Sequence, residues 1–171
     1  RADYRDASTG IYANLALATG QVVRDGYGGT DTLVNVNEIA GSNFNDTVIG
    51  SAGDDRFIMN SGFIDLLDGG AGFDRLRFDR FGATSATVDL SSGVATSIWN
   101  GFTSTTMLRN IEWVRDSQND DLLIGNTAGD TRFEREAFAS HPAELIVLRL
   151  SASRPGQYSG RLRLTDAHGA R

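Results

Sequence analysis

The chain has no cysteine and no lysine, and only two prolines and two histidines, among its 171 residues. The missing cysteines exclude disulfide staples, thiolate zinc sites and cysteine nucleophiles together. No apolar run approaches the roughly 18 residues that a membrane helix needs, so no membrane span is expected. Asp outnumbers Glu by 17 to 5 and there are 20 glycines. Both Asp and Gly prefer turns to helix interiors, which argues against long helices. Hydrophobic residues make up 40% of the chain, enough for a core. The length suits one domain, or one domain and a fragment. The sequence opens on Arg1 and stops at Arg171 in mid-pattern, so a piece of a larger protein is expected.

Charge is distributed unevenly. Residues 1–128 carry 17 acids and 9 arginines, net -8, whereas residues 129–171 carry 5 acids and 7 arginines, net +2. Two regions are therefore expected, with a boundary near 128/129. An Asp-rich body does not suit nucleic acid, which requires a basic face. It suits a hard cation such as calcium, which takes oxygen ligands.

The acidic body is repetitive. Gly41-Ser42-Asn43-Phe44-Asn45-Asp46-Thr47-Val48-Ile49 is followed by Gly50-Ser51-Ala52-Gly53-Asp54-Asp55-Arg56-Phe57-Ile58, a looser unit from Asn60, and Gly69-Gly70-Ala71-Gly72-Phe73-Asp74-Arg75-Leu76-Arg77. The aspartates stand at 46, 55, 65 and 74, spaced 9, 10 and 9, with Val48, Phe57, Leu67 and Leu76 two residues after each. A period near nine accommodates a turn of about six residues and a strand of about three, with the apolar residue pointing inward. A longer repeat surrounds it: Leu33 to Gly50 matches Leu108 to Gly125 at an offset of 75, and Ala13-Asn14-Leu15 corresponds loosely to Val88-Asp89-Leu90. Tandem units argue for a solenoid in which each coil covers its neighbour's apolar face. If two units make one coil, units two apart stack, pairing Asp55 with Asp74 and Asp46 with Asp65. Gly/Asp turns of this kind can also close a sandwich or an irregular solenoid without any ion.

On these motifs, residues 26–77 resemble the repeats-in-toxin family, the calcium-binding β-roll of secreted bacterial proteases, lipases and haemolysins. The family pattern Gly-Gly-x-Gly-x-Asp-x-U-x, with U a large apolar residue, is met in full at 69–77 and misses one glycine at Ser51. The units at 41 and 60 depart further; Gly26 to Leu33 and the stretch ending in Asp121 are partial matches. The resemblance implies an all-β fold: a short parallel β-roll of nonapeptide repeats with flanking strands. It also implies Ca2+ ligands from the carbonyls of positions one and three and the carboxylate of position six. Here those are Gly50, Ala52, Asp55, Gly69, Ala71 and Asp74 for the better site. Gly41, Asn43, Asp46, Asn60, Gly62 and Asp65 make a poorer one. Asp121 lacks a neighbour in register, and no strong site is expected there.

Beyond residue 130 the nonapeptide register is lost. Leu145–Leu150 and Gly160–Thr165 read as strands joined by a turn at Ser153–Gly156, giving a C-terminal antiparallel hairpin. Arg135–Pro142, Val147, Arg149–Ala152 and Pro155-Gly156 resemble part of the amino-terminal β-sandwich of glycoside hydrolase family 95. That stretch is a folding motif without catalytic residues, so carbohydrate is a partner only through a parent domain. Glu134 and Glu136 lie too close together for a glycosidase pair. His141 and Ser140 form no triad, Gly26 to Gly29 lacks the lysine of a phosphate loop, and Trp99 and Trp113 suit packing better than sugar stacking. No enzyme is expected. The sequence therefore predicts an extracellular calcium-binding repeat module that folds on binding its ion and stabilises a larger protein. The alternatives are a non-catalytic piece of a carbohydrate-processing enzyme and an adhesive surface protein.

Overall fold

The computed structural model describes residues 1–80, 82–117, 119–125, 127–128, 131–140 and 145–152, with side chains up to residue 125. Its strands are β1 (Ala2–Asp3), β2 (Tyr12–Asn14), β3 (Val22–Arg24), β4 (Glu38–Ala40), β5 (Thr47–Ile49), β6 (Arg56–Ile58), β7 (Ile64–Asp68) and β8 (Arg75–Arg77). They continue as β9 (Ala83–Asp89), β10 (Val94–Trp99), β11 (Phe102–Arg109), β12 (Trp113–Arg115), β13 (Leu122–Ile124), β14 (Thr127–Ala128), β15 (Thr131–Ser140) and β16 (Leu145–Ala152). The described residues are all-β and include no helix. Accordingly, no helix is long and apolar enough to cross a membrane.

One sheet is parallel, in the order β1-β4-β6-β8-β12, and a second is mixed, in the order β13-β9-β10-β11-β7-β5-β2-β3. From β4 to β8 the chain visits the two sheets alternately, and β6, β7 and β8 each pair in parallel with the strand two before. Phe57 therefore stands opposite Leu76, and Val48 opposite Leu67. The strands stay at about three residues because each nonapeptide commits the rest of its length to a turn rich in Gly, Asp and Asn.

Val48, Phe57, Leu67 and Leu76 are all buried and join Ile11, Ile39, Met59 and Phe78 in one cluster fed by both sheets. Each side chain of this size contributes roughly 1.5–3 kcal/mol on burial. Their flanking neighbours Thr47, Arg56, Leu66 and Arg75 are less buried, as the two-residue period of a strand requires.

The long repeat is a structural duplication. Tyr12 pairs with Thr47 in β2 and β5, and Thr87 pairs with Leu122 in β9 and β13, each 75 residues on. Asn35 and Asn110 hold the same left-handed backbone, with φ of 56° and 52°.

One expectation needs refining. The larger sheet is mixed, because β9, β10 and β11 form an antiparallel meander and β2 pairs antiparallel with β3. The signal was present in the sequence: Asn100 and Gly101 take φ of 48° and 84°, the backbone of a primed two-residue hairpin turn. β16 pairs antiparallel with the preceding β15, Phe133 opposite Ala152 through Ser140 opposite Leu145. It contains Leu145–Leu150; Gly160–Thr165, the other strand of the expected hairpin, lies outside the described residues. Both histidines also lie outside the described residues. Trp99 is buried, its indole N–H donating to Ser97 Oγ at 2.7 Å, and Trp113 is partly exposed.

Candidate metal centre

The parallel register stacks the turns as well as the strands. The Asp46 amide N–H donates to Asp65 Oδ1 at 2.9 Å, and the Asp55 amide N–H donates to Asp74 Oδ1 at 2.8 Å. Asp55 and Asp74 are thus brought together, as are Asp46 and Asp65. All four side chains are buried, at 2% exposure or less. The ladder extends further than the nonapeptides. The amide of Ile11 donates to Asp46, that of Asp74 to Glu112 Oε2 at 2.8 Å, and that of Ala86 to Asp121. Asp121 accordingly stacks on an alanine and not on another acid.

Within this ladder the carboxylates fall into two groups. Asp46 accepts from the Ile11 and Ser42 amides and from the Ser42 hydroxyl. Asp121 accepts the same set from Ala86 and Ser117. A serine hydroxyl and two amides leave neither oxygen without a partner. The remaining three differ. Asp55 Oδ1, Asp65 Oδ2 and Asp74 Oδ2 are buried without a hydrogen-bond partner. The cause is local: Ser51 gives Asp55 its amide but aims its hydroxyl at the Gly53 carbonyl, and Gly70 N–H donates to Asp68 in place of Asp74. A buried acceptor left alone costs about 1–3 kcal/mol, and more when it is charged.

The other predicted ligand positions line the same turns. A Cβ on Gly50 would overlap the Gly69 carbonyl, and one on Gly62 would lie 2.8 Å from the Phe44 carbonyl and 2.7 Å from Asp65 Oδ1. Only glycine permits this approach between turns. A Cβ on Gly41 would meet Asp46 Oδ2. Ala71 N–H donates to the Ser51 carbonyl, and Asp55 and Asp74 carbonyls take the amides of Arg75 and of Glu112 and Trp113. Among the described residues no turn hydrogen bond reaches the carbonyls of Gly50, Ala52, Gly69 or Ala71. Asn43 is exposed, its amide group donating to the Arg5 carbonyl at 3.1 Å and its oxygen accepting from Ser61. Asn60 is buried.

Electrostatics follow from burial. Desolvation pushes Asp65 up to about 7, with the Asp46 charge adding to it against the pull of the Asp46 amide. Burial also raises Asp74, whose neighbours Asp55, Glu112 and Asp54 push the same way. Asp46 is raised by burial against its Ser42 and Ile11 hydrogen bonds.

Sequence reasoning missed Glu112, Ser42 and Ser117, and the clips that tie coils together: Asn45 Oδ1 accepts from Phe63 and Ile64, and Asp54 Oδ1 from Phe73. Ser42 and Ser117 sit at equivalent places of the 75-residue repeat, which was the available signal. Among the described residues no group of three or more His, Cys, Asp or Glu side chains converges on a common point. An ion in these turns would draw on two carboxylates with backbone carbonyls. Orphaned carboxylate oxygens, drawn close to backbone carbonyls where glycine leaves out a Cβ, fit a hard cation of calcium's kind. In comparisons with known proteins, no family model matches the chain and no curated protein matches it.

Proposed function

We propose that residues 26–128 are a calcium-binding β-roll of the repeats-in-toxin kind, a non-enzymatic module that stabilises a larger extracellular protein. The observation that carries this reading is the set of three buried, partnerless carboxylate oxygens on Asp55, Asp65 and Asp74 in a stack of glycine turns. The Asp55/Asp74 turns, with Gly50, Ala52, Gly69 and Ala71, would hold the better-formed ion. Asp65 offers one free oxygen to the second position, where Asp46 is already satisfied by Ser42. Bound calcium would supply positive charge and oxygen coordination where the folded chain has only carboxylates. Without it, the stacked acids oppose the burial of the short strands.

The test is thermal unfolding followed by circular dichroism in chelator, in millimolar calcium and in millimolar magnesium. One ion at a hundredfold excess over its dissociation constant adds about 2.7 kcal/mol. For a domain of this size that is a rise of roughly 5–10 °C. Magnesium, which needs compact octahedral geometry and keeps its waters, should not substitute. Identical melting in chelator and calcium would sink the proposal.

A further inference from the structure

Glu112 lies outside every nonapeptide, on the approach to β12, yet the register makes it the next rung after Asp74. Trp113 pairs with Arg75 just as Arg75 pairs with Arg56. The Asp74 amide donates to Glu112 Oε2 at 2.8 Å, repeating what the Asp55 amide does to Asp74 Oδ1. Three carboxylates therefore stack, Asp55, Asp74 and Glu112, and none of the ion pairs between described residues includes them.

A row of acids alone would carry nothing, but a second observation points to a ligand. Asp74 Oδ2 has no partner, although Asp74 is 0% exposed. That oxygen lies 2.6 Å from where a Cβ on Gly69 would stand, and the same position would overlap the Asn110 carbonyl. The free carboxylate oxygen and the Asn110 carbonyl thus converge beside Gly69, an approach that only a glycine there allows. Asn110 holds its carbonyl there through a left-handed backbone, φ 52°, and its amide group is anchored on Asp68 Oδ1 at 2.7 Å.

We propose that this seam is a further calcium site, formed by Asp74 Oδ2, the Asn110 carbonyl and the Glu112 carboxylate. It extends the cation stack one coil beyond the glycine-rich repeats, into the second copy of the 75-residue duplication. The inference rests on the calcium reading of the Asp55/Asp74 turns and adds one ion to it, with Asp74 shared between the two. Glutamate suits a place where the coil that follows lacks the tight glycine turn, since its extra methylene lets the carboxylate reach back.

Calorimetric titration with calcium, on the full chain, separates the possibilities. Glu112→Gln keeps an oxygen to accept the Asp74 amide but loses the charge. It should bind one ion fewer than wild type, or bind that ion at least tenfold more weakly. Asp74→Asn should lose two ions, and Asp121→Asn none. Glu112→Asp, charged but shorter, should recover part of the lost affinity, which a purely structural role for the side chain would not predict. The calcium-induced rise in Tm of each variant gives a second readout that does not depend on stoichiometry. If wild type binds calcium and Glu112→Gln binds it with unchanged number and affinity, the seam site is wrong and the calcium reading stands. If wild type binds no calcium, both fall.

Discussion

The rungs at Asp46 and Asp121 and the rungs at Asp55, Asp65 and Asp74 use one backbone plan for two purposes. In the first pair, a serine four residues earlier supplies an amide and a hydroxyl, and the coil before supplies another amide. The carboxylate is then a finished internal cap. In the other three, one oxygen accepts an amide and its twin accepts nothing. The same aspartate is a structural cap where hydroxyl chemistry completes it and a candidate ligand where it does not. A position-six aspartate by itself does not mark a cation site.

The contrast should break most visibly at the glycines. Gly69→Ala would drive its Cβ into the Asn110 carbonyl and to 2.6 Å from Asp74 Oδ2, whereas Gly53→Ala meets nothing nearer than Ser51 Oγ at 3.8 Å. We expect Gly69→Ala to cost about 3 kcal/mol and Gly53→Ala less than about 0.5 kcal/mol, read by urea unfolding in calcium. Equal losses would mean that the coils do not stack as closely as described.

Proton linkage should show the next largest effect. Asp65 is raised to about 7 in the fold, from about 3.9 in an unfolded chain. A raised carboxyl favours the folded state below the unfolded value and loses that contribution as pH climbs through the folded one. In chelator, stability should therefore fall between about pH 4 and pH 7, by on the order of a few kcal/mol. Asp74 and Asp46 shift in the same direction. Calcium should flatten this slope, because a cation favours the charged carboxylates. Asp65→Asn should flatten it in chelator. A melting temperature in chelator that stays level over this range, or rises, would contradict the burial of these acids.

The smallest effect concerns the hydroxyl. Ser42→Ala removes the 2.6 Å bond to Asp46 Oδ1 but leaves the Ile11 amide there, so a loss of about 1 kcal/mol is expected, the same in chelator and in calcium. Ser51→Ala, whose hydroxyl makes no bond to Asp55, should cost less. A Ser42→Ala loss that appears only in calcium would place an ion at Asp46 and erase the distinction between the two kinds of rung.

The chain's local chemistry determined the period, the inward side chains and the stacking. A turn of Gly, Asn and Asp every nine residues leaves three for a strand, and alternation then puts Val48, Phe57, Leu67 and Leu76 on one face. Parallel pairing of units two apart follows, and with it Asp55 beside Asp74. Tertiary structure decided which distant amide meets each carboxylate. Ile11 and Ala86, each 35 residues away, complete what Ser42 and Ser117 begin on Asp46 and Asp121, and the Asp74 amide finds Glu112 38 residues away; no nine-residue pattern carries that information. The same holds for the β9–β11 meander and for the closure of β16 onto β15. Strand pairing is settled by which edges meet and how short the connection is, and a segment's own alternation fits more than one neighbour.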